Sequence, residues 1–242
     1  MNWTRALVFA AALAVPCAAS ADPVFTHKLD VGYSTATKFG TNDGVWSVGW
    51  DTLFSYDLPG PNLQIGGDYD HIAHGANDEW SGNASGFWRA RWGTAGISVG
   101  YGDVSTGTAN KSLTSYGAFS EWYMLSDLTV KAKGGAFDGG ITGWYGGAGA
   151  TYYPTTFISL SLTYNYSRVS GGRDHIIDAE AEYLISRKYP LSIAAGYEHV
   201  SAKTNDTDAL MIHLRYRFGL QGSLVRQDRV GPVSWDGLAP LR

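Results

Sequence analysis

Apolar and polar side chains alternate along several stretches of the chain, most regularly between Phe157 and Arg168. In this stretch isoleucine, leucine and tyrosine take every second position, and serine, threonine and asparagine take the positions between them. Because successive side chains of a β-strand point to opposite faces, the pattern predicts a strand with one apolar face and one polar face.

Related patterns predict twelve strands, most of them near the ~9–11 residues that a tilted membrane-spanning strand needs. If one pairing is mistaken, the number falls to ten. The predicted strands cover residues 28–34, 46–58, 63–72, 86–92, 96–103, 116–124, 128–135, 144–153, 157–168, 176–185, 191–200 and 209–218.

The connections between these strands alternate in length. Outer-membrane barrels have short periplasmic turns and longer extracellular loops, and an even number of strands returns the chain to the periplasm. The predicted short turns cover residues 59–62, 93–95, 125–127, 154–156 and 186–190, and the longer loops cover residues 35–45, 73–85, 104–115 and 201–208.

These features predict an all-β fold, a single antiparallel transmembrane β-barrel over residues 22–218. The alternative is an exported soluble β-sandwich or lipocalin-like barrel, which would bury the apolar faces inwards. Aromatic residues near the strand ends favour the membrane, because they form belts at the two interfaces of a bilayer. The glycine-rich segment 144–150 would also pack poorly in a soluble core.

The first 21 residues have the pattern of a cleavable signal peptide. Arg5 closes a short basic start, an apolar run covers residues 6–15, and Ala19, Ser20 and Ala21 fit a small-x-small cleavage site. Lipidation of Cys17 is a weaker alternative, because Pro16 stands where a small residue is wanted. The expected location is therefore the cell outer membrane.

The composition agrees with a membrane barrel and excludes some partners. The chain has 242 residues, with 31 glycines, 15 tyrosines and 9 tryptophans, and its mean hydropathy is only −0.15. Turn glycines, aromatic girdles and a polar interior would give this mixture. The net charge of −4 provides no basic excess for nucleic acid, so no nucleic-acid partner is expected.

The charged residues of the predicted strands fall on the polar parity, which places them inside the barrel. On the lipid face each Arg or Lys would cost about 2–4 kcal/mol at the bilayer midplane. The predicted lumen residues are Asp68, Asp70, Arg89, Arg91, Glu121, Lys131, Lys133, Asp178, Glu180, Glu182, Glu198, His213, Arg215 and Arg217.

Two interpretations of these interior charges stay open. Acidic and basic strands are predicted to be neighbours at the third and fourth, sixth and seventh, and eleventh and twelfth strands, so that opposite charges could pair across the ladder. The pairs could simply make a narrow interior rigid. Alternatively, they could line a permeation path. In such a path the basic side chains would attract anions, and the acidic residues Asp178, Glu180, Glu182 and Glu198 would oppose that preference.

The last predicted strand resembles the β-signal of bacterial outer-membrane β-barrel proteins. Its alternating residues Ile212, Leu214 and Tyr216 end in the aromatic Phe218. The resemblance implies recognition by the barrel-assembly machinery and contact with outer-membrane lipids, including lipopolysaccharide. The strand number resembles that of small porin-like channels. We expect a monomer. The usual signal ends the chain, whereas here residues 219–242 follow it.

The tail, residues 219–242, has no sustained period and contains four glycines and two prolines. One interpretation is a mobile periplasmic extension. The other is a partial plug that folds into the periplasmic mouth and restricts the pore, with Leu224, Val225 and Trp235 as its anchors.

Catalytic and metal sites have little support in the sequence. His71 and His199 are predicted to face outwards near the extracellular rim, where Ser85 and Ser201 could lie within reach of them. Such histidine–serine pairs would suit a lipid-modifying enzyme, but no G-x-S-x-G nucleophile motif is present.

The nearest candidate for a metal site is His71 and His74 beside Asp68 and Asp70, and their spacing does not bring all four to one side. We therefore expect no cofactor, no metal and no catalytic residue. The sequence favours a porin-like channel for ions or small solutes. A non-conducting structural or surface-interaction barrel is the main alternative, and a lipid-modifying enzyme is the third.

Overall fold

The computed structural model describes residues 24–38, 41–55, 59–72, 78–105, 110–169, 172–202 and 206–233. The predicted signal peptide lies outside the described residues, as do His74 and Trp235. Within the described ranges, no helix is long and apolar enough to cross a bilayer.

The described chain forms twelve antiparallel strands, each paired with the next, and β1 pairs with β12 to close a barrel. The prediction of twelve strands is confirmed, and the alternative of ten is wrong. The elements are β1 (Val24–Lys38), β2 (Thr41–Ser55), β3 (Gly60–Ile72), β4 (Glu79–Ala90), β5 (Gly93–Ser105), β6 (Asn110–Leu125), β7 (Leu128–Gly139), β8 (Gly143–Tyr152), β9 (Ile158–Val169), β10 (Gly172–Ser186), β11 (Leu191–Ala202), β12 (Asp206–Phe218) and one helix, α1 (Leu224–Val230).

The strands are longer than predicted at the end of the barrel assigned to the outside. β1 continues to Lys38, and β2 begins at Thr41, directly opposite it in the ladder. The predicted loop 35–45 is therefore mostly strand, and the same holds for 104–115, since β5 and β6 still pair at Ser105 and Asn110. These segments lack alternation, but ladder pairing satisfies their backbone hydrogen bonds, so the prediction of long loops there was wrong.

The outer surface of the barrel is an apolar band between two rings of aromatic side chains. This arrangement exposes large hydrophobic side chains over the whole circumference, far beyond the patches of a soluble monomer, and it matches a bilayer. The ring near the chain termini contains Trp88, Trp92, Tyr152, Tyr183 and Phe218, the opposite ring Trp46, Tyr69, Trp80, Trp144 and Tyr197, and the band between them Val48, Ile97, Leu160, Leu162, Ile193 and Leu214.

One glycine is required by a tight turn at the end of the barrel where β1 begins. Gly93 starts β5 directly after the two-residue turn Arg91–Trp92, with a φ of +159°. A Cβ atom at this position would collide with the carbonyl oxygen of Glu121 on β6. The turn can therefore close tightly only because residue 93 has no side chain.

The apolar band predicts a large difference between substitutions on neighbouring positions of β9. We expect Leu162→Arg to lower the free energy of unfolding by about 2–4 kcal/mol, because Leu162 is 58% exposed on the lipid side. Thr163 lines an interior cavity, so Thr163→Lys should cost much less. Urea unfolding in lipid vesicles measures both, and equal losses would contradict the assignment of the two faces.

Candidate functional site

The structure places nearly all of the predicted lumen residues on the inner face of the barrel, where they are buried or half-buried. Their role in permeation stays a prediction. The residues found on this face are Asp68, Asp70, Arg89, Glu121, Lys131, Lys133, Asp178, Glu180, Glu182, Glu198, His213, Arg215 and Arg217.

Arg91 is the exception, and its placement on the fourth strand was wrong. Ala90 is the last residue of β4 and pairs with Gly93. Arg91 therefore lies in the turn, with an exposed side chain. The strand ends earlier than predicted because the hairpin needs two residues to reverse direction.

Arg215 is the centre of an ion-pair network inside the barrel. Its Nε donates to Oδ2 of Asp30 on β1 at 2.6 Å, and its two Nη atoms donate to the two oxygens of Glu180 on β10, each at 2.6 Å. His213 Nδ1 lies 2.8 Å from the other oxygen of Asp30. The guanidinium therefore connects three strands across the seam where the barrel closes.

Arg217 extends this network from the barrel wall to the tail. Its Nη1 donates to Oε1 of Glu182 at 2.6 Å, and its Nη2 donates to Oδ1 of Asp228 on α1 at 3.0 Å. The hydroxyl of Tyr153 on the segment after β8 donates to the other Asp228 oxygen at 3.1 Å. Burial raises the pKa of Asp228, the nearby carboxylate of Glu182 adds to this rise, and the charge of Arg217 opposes it.

Ladder pairing of opposite charges was predicted for three pairs of strands and occurs in one of them. Glu121 of β6 lies directly opposite Lys131 of β7. On β3, Asp70 lies opposite Glu79, whereas Arg89 of β4 lies opposite Gly60 at the other end of the hairpin.

The predicted pairing of opposite charges across the ladder is also wrong for β11 and β12. Glu198 lies opposite Ala209 and Arg215 opposite Ser192. The carboxylates that contact Arg215 and Arg217 come instead from β1, β10 and α1. The parity of a strand predicts which face a charge occupies, but only the register of the hairpin decides what stands opposite it.

The interior charges are separated along the axis of the barrel. The arginines lie in the half of the barrel where β1 begins and β12 ends, with Arg229 of α1 among them, while the other half is mainly acidic. The inward carboxylates of that acidic half are Asp68, Asp70, Glu79, Asp174, Asp178 and Glu198.

Two adjoining cavities occupy the middle of the barrel. The one next to the tail has a volume of about 310 Å³, the other about 280 Å³, and both are lined by Lys131, Thr163 and Asp178. The wall formed by β8 and β9 carries no charged side chain there, and Gly147 and Gly149 have none at all. This wall leaves room for water and small solutes.

The described part of the tail, residues 219–233, folds into the end of the barrel where β1 begins and β12 ends. Leu224 is fully buried, and its side chain packs with Tyr153 and Leu184, while Val225 packs against the same cluster. The backbone N–H of Leu224 also donates to the carbonyl of Thr156 at 2.9 Å. Two of the three predicted anchors thus contact the barrel wall.

The histidines considered for catalysis are not joined to the predicted serines. His71 Nδ1 lies 2.8 Å from Oδ1 of Asp78, and Tyr69 donates its hydroxyl to the other oxygen at 2.7 Å. The hydrogen bond from Tyr69 contributes most, and that with His71 next, to holding the pKa of Asp78 below its usual range. Ser85 lies on the opposite, inner face, where it donates to Ser98, so its predicted proximity to His71 was wrong.

The second outward histidine repeats the first arrangement at the same rim. His199 lies 2.8 Å from Asp208, whose carboxylate also accepts a hydrogen bond from Tyr197. Among the described residues, no group of three or more His, Cys, Asp or Glu side chains could hold a metal ion.

Three interior residues of the site were missed by sequence reasoning: Gln64, Tyr123 and Tyr153. Each lies on the inward parity of its strand or directly after it. Parity could have placed them inside, but their partners belong to the tail, and no periodicity in the tail shows where it docks.

No family model and no curated relative matches this chain. Solved structures do: a KdgM porin in complex with disordered oligogalacturonate aligns at a TM-score of 0.55 and 10% identity, covering 78% of this chain and 98% of that one. An outer membrane channel from Pseudomonas putida F1 aligns at a TM-score of 0.55 and 10% identity, covering 83% and 97%. The chain has the fold of a bacterial outer-membrane β-barrel. At such identities, the likeness concerns the fold alone.

The ion-pair network of this outer-membrane barrel predicts a stability loss when one carboxylate is removed. We expect Glu182→Gln to lower the free energy of unfolding by about 3–5 kcal/mol, because the buried Arg217 loses a charged partner. Denaturant unfolding in detergent micelles measures the change. The double variant with Arg217→Met should cost less than the sum of the single changes. Additive losses would mean that the two groups do not interact.

Proposed function

We propose that this barrel is an outer-membrane channel for ions or small solutes whose periplasmic end is restricted by the tail. The observation that carries the proposal is the pair of adjoining cavities inside the barrel, both lined by Lys131 and Asp178, one of which is also lined by Asp228 and Arg229 of α1. A barrel with a purely structural role would gain stability from a filled interior. The small side chains of β8 and β9 instead keep the centre of this one open.

The outer surface and the last strand support insertion in the outer membrane as a monomer surrounded by lipid, including lipopolysaccharide. Ile212, Leu214 and Phe218 all point outwards from β12 and are about half exposed, and Tyr216 follows the same parity. This is the arrangement in which the barrel-assembly machinery could read them as a β-signal.

The charge distribution supports a preference for cations. Solutes that enter from outside first meet the acidic half of the lumen, whereas the arginines beyond it are engaged by carboxylates and by the tail. An acidic oligosaccharide, such as the one bound by the KdgM porin, would meet unfavourable potential at this entrance. Small cations or neutral solutes fit the lumen better.

Conductance tests the channel directly. In planar bilayers, we expect small, steady conductance steps for the full chain and several-fold larger steps for a chain that ends at Phe218, because the truncated barrel lacks α1 and its contacts across the mouth. Heat-modifiable migration in gels controls for folding of both proteins. A folded barrel that conducts in neither form would instead support the non-conducting alternative.

Reversal potentials in a salt gradient test the preference for cations. We expect permeability for potassium above that for chloride in the full chain, and a smaller ratio after Asp68→Asn with Asp178→Asn. One charge ~8 Å from the path changes the energy of a cation by about 0.5 kcal/mol in water, which is about twofold in local concentration. The control is Asp103→Asn, since Asp103 faces outwards and accepts a hydrogen bond from Trp80. A chloride preference in the unmodified chain would contradict the proposal.

A further inference from the structure

The barrel wall holds the last described residues of the tail by their main chain. Arg89 on β4 donates from Nη1 to the carbonyl of Val230 at 2.6 Å and from Nη2 to the carbonyl of Gly231 at 2.7 Å. The hydroxyl of Tyr123 donates to the carbonyl of Arg229 at 3.2 Å. Three successive carbonyl groups at the end of α1 are therefore bound by side chains of β4 and β6.

Gln64 on β3 binds the main chain two residues further along, at Val233. Its Nε2 donates to the carbonyl of Val233 at 2.9 Å, and its Oε1 accepts the backbone N–H of the same residue at 2.8 Å. The side-chain amide and the backbone of Val233 thus exchange two hydrogen bonds. Two residues that face each other in an antiparallel sheet exchange the same pair of bonds. Both Gln64 and Arg89 are fully buried.

The side chains of the bound segment contribute shape rather than hydrogen bonds. Residues 230–233 are Val, Gly, Pro and Val, so none of them has a polar side chain. Val233 fills an apolar cluster that includes Leu53 and Phe87. Recognition at this place therefore depends on the backbone groups of Val230 at the end of α1 and of Gly231 and Val233 after it, together with one small apolar side chain.

The helix that precedes the bound segment is too short to hold it there unaided. α1 has seven residues, and its N-cap Ser223 makes no side-chain capping bond. A helix of this length is unstable in water on its own. Its position depends on the packing of Leu224, on the ion pair of Asp228 and on the hydrogen bonds from the barrel wall to the main chain. When the tail leaves, Arg89 and Gln64 can be hydrated in the lumen, so the site can exist empty.

We propose that Gln64 and Arg89 form a binding site for the main chain of a peptide that leaves a short helix, at the mouth where the tail docks. In this chain the site is occupied by the tail itself, and a separate peptide of the same kind can take the same place. The proposal concerns binding, and it does not require that the barrel conducts.

Binding of a peptide to a full-length chain whose own tail is disabled tests the site. Leu224→Asp places a charge in the buried anchor, and Val233→Pro removes the N–H that Gln64 accepts, while both leave the barrel wall unchanged. A fluorescent peptide with the sequence of residues 223–233 is then titrated into this variant in detergent micelles. We expect saturable binding, followed by fluorescence anisotropy, and much weaker binding to the unmodified chain, whose tethered tail competes at high effective concentration.

Changes in the wall and in the peptide backbone separate this site from unspecific binding. Arg89→Met in the tail-disabled chain should weaken binding about tenfold or more, because two hydrogen bonds from a charged group are lost. Arg91→Met, in the exposed turn, is the matched control and should have no effect. Methylation of the peptide nitrogen at Val233 should weaken binding about fivefold or more, although every side chain stays the same. Equal binding in all of these cases, or no binding to a folded tail-disabled barrel, would overturn the proposal.

A second measurement applies if the tail-disabled chain does not fold. Val233→Cys, in a chain with Cys17→Ser, introduces a single thiol. The backbone of residue 233 keeps its two hydrogen bonds with Gln64. We expect a maleimide in solution to label this thiol slowly, and about tenfold faster after Arg89→Met or Gln64→Leu. Equally fast labelling in all three chains would show that the wall does not hold the tail, and it would exclude the site.

Discussion

The structure depends on the constraint that no backbone polar group may be left unpaired in hydrocarbon. Strands can meet it only when the sheet closes on itself, and here β1 and β12 pair over ten residues, from His27 with Phe218 to Ala36 with Ala209. Closure then divides every strand into an outer parity that contacts lipid and an inner parity that does not. The remaining properties of the molecule, including its charged interior, follow from this division.

Charge inside a narrow barrel must be compensated, and this chain does so by networks rather than by simple pairs. Arg215 contacts carboxylates from β1 and β10, and Arg217 contacts one from β10 and one from the tail. The wall of β8 and β9 has no charged residue on its inner face, and glycine, serine and threonine line the cavities there, whereas Tyr145 fills the interior nearer the start of β8. The barrel thus combines a rigid, ionic side with an open, neutral side, as a passage for small polar solutes requires.

Alternation along the chain was sufficient to predict the number of strands and the inner face. It placed Arg215 and Glu182 inside, and it placed Leu214 and Phe218 outside. Properties that depend on distant partners were not predictable. Arg89 was expected to face acidic residues of β3, but the register brings it to the carbonyls of the tail.

Strand ends were also missed, because ladder pairing extends β1 and β2 through residues with no periodic pattern. The structure of the tail was missed because it too depends on distant partners. Its seven-residue helix has almost no intrinsic signal, and it forms against a surface assembled from β4, β6 and β12, while β3 binds Val233 after it.

The contacts of α1 have a mechanical consequence for the barrel. Asp228 is joined to Arg217 on β12, and Arg229 donates to Thr129 on β7, almost half the circumference away. The helix therefore acts as a transverse brace that ties two distant walls together. A hollow cylinder of hydrogen-bonded strands resists stretching but flattens easily, so the brace keeps its cross-section round at the end where it is docked.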